Sequence, residues 1–137
     1  MFVLDTNHLR ELCYDSAVGR RLRSRIENKP VVTTIVTVEE GCRGWLAKIA
    51  SYREPGQQVW AYGELEKLFV VTTGLVRLPW DDEAAARLLA FLQQGIRIGT
   101  MDLKIACIAL EYDAVLLTRN RADFEKVPGL RFENWLD

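Results

Sequence analysis

Met1-Phe2-Val3-Leu4-Asp5-Thr6-Asn7 opens the chain with four apolar residues that run straight into an acid and two small polar residues. The run does not alternate, so it is not a half-buried strand. A short, wholly apolar run ended by a polar turn reads as a strand buried on both faces. In an open parallel sheet, ligands gather just beyond the carboxyl ends of the strands. Asp5 would sit at that edge, on the first and central strand. Asp, Thr and Asn also cap helices well, so Asp5 read by itself is equally a helix N-cap. What else reaches the same edge decides between the two.

Working outward, strand-like and helix-like stretches alternate. Ser16 caps a segment whose apolar face is Val18, Leu22 and Ile26, and which also carries Arg20, Arg21, Arg23 and Arg25. These arginines are either a solvated helix face or a phosphate-contacting patch. Val31 to Val36 reads as the next strand. Thr37-Val38-Glu39-Glu40 then opens a helix with Val38, Cys42, Trp45, Leu46 and Ile49 on one face. Glu54-Pro55-Gly56 interrupts it, and a third helix is expected from Gln57 to about Phe69, packing through Trp60, Leu65, Leu68 and Phe69. Val76 to Leu78 is a short strand. Asp81 or Asp82 caps a helix through Gln94 that contains Ala84, Leu88, Leu89, Phe91 and Leu92, and Thr100 caps another to about Tyr112 with Ile105, Ile108 and Ala109 inward. Ala114 to Thr118 is a buried strand, Asn120 to Lys126 a polar turn or short helix, and Leu130 to Phe132 an edge strand. This alternation implies an α/β fold with a mainly parallel sheet.

Composition narrows the chemistry. With 137 residues, one domain is expected over 1–137. The formal net charge of -1 leaves no global basic field, so any nucleic-acid contact must be local. The three cysteines, Cys13, Cys42 and Cys107, lack metal-site or disulfide spacing. His8 is the only histidine, so serine- or cysteine-based triads and two-histidine metal sites lack their parts. No leader segment and no membrane-spanning run is evident, which makes a cytoplasmic protein the expectation.

Four places put a polar side chain just after a strand or at the start of a helix: Asp5, Glu40, Asp102 and the turn from Asn120 to Asp123. Right-handed crossovers bring such positions to one sheet edge. Each has an ordinary structural reading. Thr37 and Glu40 have capping-box spacing, Asp102 lies in a helix first turn, and Asp123 would cap the Phe124 turn. Together they form a cluster of carboxylates that cannot all stay ionised without a cation. Oxygen donors without His or Cys suit Mg²⁺ or Mn²⁺, and such ions serve phosphodiester chemistry.

The same residues carry a resemblance. Leu4-Asp5-Thr6-Asn7, Thr37-Val38-Glu39-Glu40, Ile98-Gly99-Thr100-Met101-Asp102-Leu103-Lys104-Ile105-Ala106 and Leu117-Thr118-Arg119-Asn120-Arg121-Ala122-Asp123-Phe124 resemble the four motifs of a PIN domain. The finer resemblance is to VapC toxins of VapBC toxin–antitoxin modules, and it covers Phe2 to Trp135. It implies a three-layer PIN-like domain, a five-stranded parallel sheet flanked by helices. It further implies a Mg²⁺-dependent endoribonuclease acting on RNA, a homodimer, and inhibition by a VapB-like antitoxin. Asp5, Glu40, Asp102 and Asn120 would be its catalytic positions, and Asp5, Glu40, Asp102 and Asp123 its metal ligands. Whether Asn120 or Asp123 completes the site is open, because Asn120 stands where many PIN nucleases have Asp. Gly41 also departs from the usual apolar residue, which predicts a looser helix start. The rivals are a phosphatase or receiver domain, disfavoured by Asn7 and Arg119, and a non-catalytic PIN-like module that binds RNA or protein. Trp45, Trp60, Tyr62 and Phe69 give the helix pair more aromatic surface than one small core needs, so part of it is expected to form a groove for an antitoxin segment or a dimer contact.

Overall fold

A computed structural model describes all residues, 1–137. Five strands form one sheet in the order β3-β2-β1-β4-β5: β1 (Phe2–Leu4), β2 (Val31–Thr34), β3 (Arg77–Leu78), β4 (Val115–Leu117) and β5 (Arg131–Glu133). Every pairing is parallel, with Val3 opposite both Val32 and Leu116. The opening strand is therefore the central one, and it is buried on both faces: Val3 belongs to one apolar cluster and Leu4 to the other. Seven helices cover the sheet: α1 (Thr6–Leu12), α2 (Ala17–Ile26), α3 (Ile35–Ser51), α4 (Pro55–Thr73), α5 (Asp82–Gln93), α6 (Thr100–Glu111) and α7 (Arg121–Phe124). This is the three-layer α/β arrangement expected from the alternation. No helix is long and apolar enough to cross a membrane.

Several local expectations need correction. β2 stops at Thr34, and α3 begins at Ile35 rather than Thr37. The reason is the Thr34 hydroxyl, which accepts from the Thr37 amide at 2.9 Å and acts as the N-cap. Glu40 is thus a second-turn residue and has no part in a capping box. Gly99, not Thr100, is the N-cap of α6. α4 starts two residues earlier, at Pro55, where proline suits the first helical position, and it runs on to Thr73. Gly41 does not loosen α3. A Cβ there would stand 3.0 Å from Leu68 Cδ2, so the glycine lets α3 and α4 approach closely.

Helical periodicity also overstated the buried faces. Leu46, Leu89 and Leu92 are exposed, as are Trp60 and Phe69. α4 instead buries Ala61, Glu64, Leu68 and Thr72, and leaves Val59, Trp60, Tyr62, Phe69 and Val70 uncovered. Three of the four arginines of α2 also have local partners. Arg20 pairs with Asp15 at 2.8 Å, Arg23 donates to the carbonyls of Leu12 and Tyr14, and Arg25 lies over the Trp135 ring. All three cysteines are free, and burial pushes the Cys13 and Cys107 thiols up to about 11.

Candidate active site

The carboxyl edge of the sheet collects the candidate residues because each strand or helix there delivers one. β1 ends at Leu4, and the Asp5 amide still donates to the Leu117 carbonyl, so Asp5 is the first residue past the central pair of strands. It is also the N-cap of α1, its Oδ1 accepting from the His8 amide at 2.9 Å. Both readings of Asp5 hold together: one carboxylate oxygen caps the helix and the other has no protein partner. Glu40 comes from the second turn of α3, directly after β2, and accepts a hydrogen bond from the Thr6 hydroxyl. α6 descends from the same edge towards β4, so its first turn presents Asp102. Beyond β4, the Thr118 hydroxyl accepts from the Asn120 amide at 3.0 Å and sets the turn.

Asn120 joins two acids. Its Nδ2 donates to Asp102 Oδ2 at 3.3 Å and to Asp123 Oδ2 at 2.9 Å, while its Oδ1 accepts from the Asp123 amide. Asn120 rather than Asp123 is therefore the cap of α7, contrary to the cap expected for Asp123.

The electrostatics show how crowded the edge is. The Asp102 carboxyl is pushed up to about 6 from its ordinary 3.8. Burial is the larger cause and the Glu40 charge the next, with smaller contributions from Asp5 and Asp123; only the Asn120 amide pulls the other way. A position in a helix first turn favours ionisation, but desolvation and like charge win here. All five candidate residues thus occupy one site. No three acidic, His or Cys side chains form a ready-made cage for an ion. The Asn120 amide donates to both Asp102 and Asp123, and the Thr6 hydroxyl holds Glu40.

Two features were not foreseen from the sequence. His8 is fully buried with Nδ1 3.0 Å from Asp5 Oδ1; the signal was its position three residues after an N-cap acid. A cavity of about 280 Å³ adjoins Thr6 and Glu40 and runs between α1, α3 and α4. Leu9, Gly41, Gly44 and Leu68 line it together with the edge-to-face pair Trp45 and Trp60, whose rings are 5.4 Å apart. Arg10 and Lys48 stand at its polar margin.

Comparison with known proteins places this geometry. The PIN domain family matches residues 2–130. Ribonuclease VapC1 of Haemophilus influenzae (strain R2866) is 44% identical over 43 residues, a segment that spans 31% of this chain and 32% of the relative. A chain of the DNA-bound VapBC structure from Salmonella typhimurium superposes with a TM-score of 0.75 at 22% identity, covering 98% of this chain and 97% of that one. A chain of the Rickettsia felis VapBC2 structure, bound to a promoter DNA fragment, gives 0.73 at 20% identity with 98% of each covered. The match over residues 2–130 takes in β1 to β4 and all of the acidic edge and stops just before β5: the chain belongs to the PIN domain family.

Proposed function

We propose that this protein is a divalent-metal-dependent endoribonuclease that hydrolyses RNA phosphodiester bonds and acts as the toxin of a toxin–antitoxin pair. The observation that carries the reading is the gathering of Asp5, Glu40, Asp102 and Asp123 at one sheet edge, with Asn120 joining Asp102 to Asp123; the raised Asp102 carboxyl is its electrostatic consequence. Such a cluster is strained until a cation neutralises it. The donor set fits a hard ion, since it offers carboxylate and amide oxygens and neither thiolate nor a free imidazole.

Asp5, Glu40 and Asp102 would hold Mg²⁺ or Mn²⁺, with Asp123 as a further carboxylate on the Asn120 side. A bound divalent ion would polarise a phosphoryl oxygen and make a water nucleophile available at neutral pH. The chain's own residues do the rest. Asn120 orients Asp102 and Asp123 through its two N–H bonds and serves as the neutral fourth corner, by its oxygen or by orienting water. Thr6 fixes Glu40. The neutralised edge then admits a polyanion that the bare acids would repel.

The partner surface is the face of α3 and α4. Five large apolar side chains of α4 lie exposed, and one of them, Trp60, lines the cavity that reaches Glu40; exposed apolar surface of this extent marks a site of association. We assign it to a VapB-like antitoxin segment, and expect the free protein to be a homodimer. The named relative is a ribonuclease and the structural neighbours are VapBC assemblies, which agrees with this reading.

The test is cleavage of single-stranded RNA by purified protein with Mg²⁺ and with EDTA. Cleavage that needs Mg²⁺ and is lost in Asp5→Asn and Asp102→Asn is expected. RNA binding without cleavage would favour a non-catalytic PIN-like module instead.

A further inference from the structure

His8 is the chain's only histidine, and its position has consequences for Asp5. The imidazole is completely buried in α1, and both ring nitrogens are engaged. Nε2 lies 3.2 Å from the Trp135 amide nitrogen, 127 residues away in sequence. A backbone N–H can only donate, so Nε2 must be the bare, accepting nitrogen. The ring proton is then on Nδ1, which is 3.0 Å from Asp5 Oδ1 and donates to it. Asp5 Oδ1 therefore takes two donors, the His8 amide and the His8 ring. Two bonds to one oxygen fix the carboxylate's rotation and leave Oδ2 for the cluster.

We propose that His8 is a positioning residue for Asp5, held as the Nδ1–H tautomer by the Trp135 backbone so that its ring donates to the central acid. The inference deepens the metal-dependent reading and rests on it for its functional consequence. A histidine needed only to fill the core would want its two bonds satisfied by any partners. Here one partner is the acid at the centre of the sheet edge and the other belongs to a segment held by separate contacts. Trp135 and Leu136 are buried with Leu4, Leu9 and Leu117, Phe2 packs on the Trp135 ring at 4.6 Å, and Arg25 and Lys29 lie over it. The Trp135 amide is thus a fixed donor, and the tautomer follows from it. Groups that orient a metal ligand without touching the metal commonly change affinity by about 10–100-fold.

Two measurements on untagged protein test this. In metal-free wild type, ¹⁵N spectroscopy of the single imidazole should show a neutral ring protonated on Nδ1; a ring protonated on Nε2, alone or with Nδ1, overturns the proposal. Three variants then separate positioning from packing. His8→Asn keeps an N–H donor near the Nδ1 place and loses the acceptor for Trp135. His8→Gln sets its amide at the Nε2 end, and His8→Ala removes both bonds. All three should melt earlier, but Mn²⁺ affinity by calorimetry should fall at least about tenfold in His8→Gln and His8→Ala and be largely retained in His8→Asn. Affinity in His8→Gln equal to wild type, or loss in His8→Asn as deep as in His8→Ala, overturns positioning. If wild type shows the Nδ1–H ring yet binds no Mn²⁺, the metal reading fails while the anchoring of Asp5 stands.

Discussion

Asp102→Asn is expected to abolish activity and, in the same molecule, to stabilise the metal-free fold. Burial and the charges of Glu40, Asp5 and Asp123 lift the Asp102 carboxyl from 3.8 to about 6. Ionising it at neutral pH is therefore harder in the folded chain than in the unfolded one. In a dry site that difference would correspond to about 3 kcal/mol; Asp102 is only half-buried, and solvent screening leaves about 1 kcal/mol. Asparagine removes the charge and keeps an oxygen to accept from the Asn120 amide. In EDTA at pH 7 the variant should melt about 4 °C above wild type by calorimetry. The sign can be followed with pH. A carboxyl whose folded value is raised contributes stability that is intact below the unfolded value and is lost as pH rises through the folded one. The gap between variant and wild type should be small near pH 4, widen as pH rises between about 4 and about 6, and stay level above that. Excess Mg²⁺ should close or reverse it, because only the wild type regains a counter-charge. A variant that melts at or below wild type at pH 7 in EDTA would refute the crowding argument.

Further expectations follow from single contacts. Glu40→Gln should lose RNA cleavage without melting earlier in EDTA, because Glu40 caps nothing and its charge crowds Asp102; a variant that stays active but melts early would make Glu40 structural. Thr34→Ala removes the true N-cap of α3 and should cost about 1–2 kcal/mol in denaturant unfolding. Gly19→Ala should cost about 1–3 kcal/mol, since a Cβ there would stand 2.5 Å from the Glu11 carbonyl and 2.6 Å from that of Tyr14; unchanged stability would mean that α1 and α2 shift freely. Asn120→Asp should melt earlier in EDTA and bind Mn²⁺ more tightly, as a fourth charge joins the edge; no change in Mn²⁺ affinity would place Asn120 outside the metal site.

The sequence was most legible where one force dominates. The apolar run before Asp5 read as a doubly buried strand, which the chain forms over Phe2–Leu4, and the polar residues after it mark the sheet edge. The helix ends were harder, because neighbouring residues compete for the same cap. Thr34 and Thr37 both suit a cap, and the choice falls on Thr34 only because its side chain meets Thr37 in the folded core. Periodicity put Leu46 on an apolar face and offered Trp60 and Phe69 for packing, yet these residues are uncovered. An apolar stripe looks alike whether the monomer or a partner buries it. At the site, Asp5, Glu40, Asp102, Asn120 and Asp123 were readable from spacing, whereas the donors that hold them were not. Thr6, and His8 through Trp135, act by contacts that no local pattern encodes, and the His8 bond joins the two ends of the chain.

The central claim, that this acidic edge drives hydrolysis of RNA by water, is tested most directly by the ends of the products. A water nucleophile leaves a phosphate on one fragment and a hydroxyl on the other, with no cyclic intermediate, and does not need the 2′-hydroxyl beside the scissile bond. Labelled RNA incubated with purified protein and Mg²⁺ is expected to give linear phosphate and hydroxyl termini only, with cleavage retained when the scissile nucleotide is 2′-deoxy and lost in Asp5→Asn. Cyclic 2′,3′-phosphate ends, cleavage that survives EDTA, or an Asp5→Asn variant as active as wild type would contradict the account.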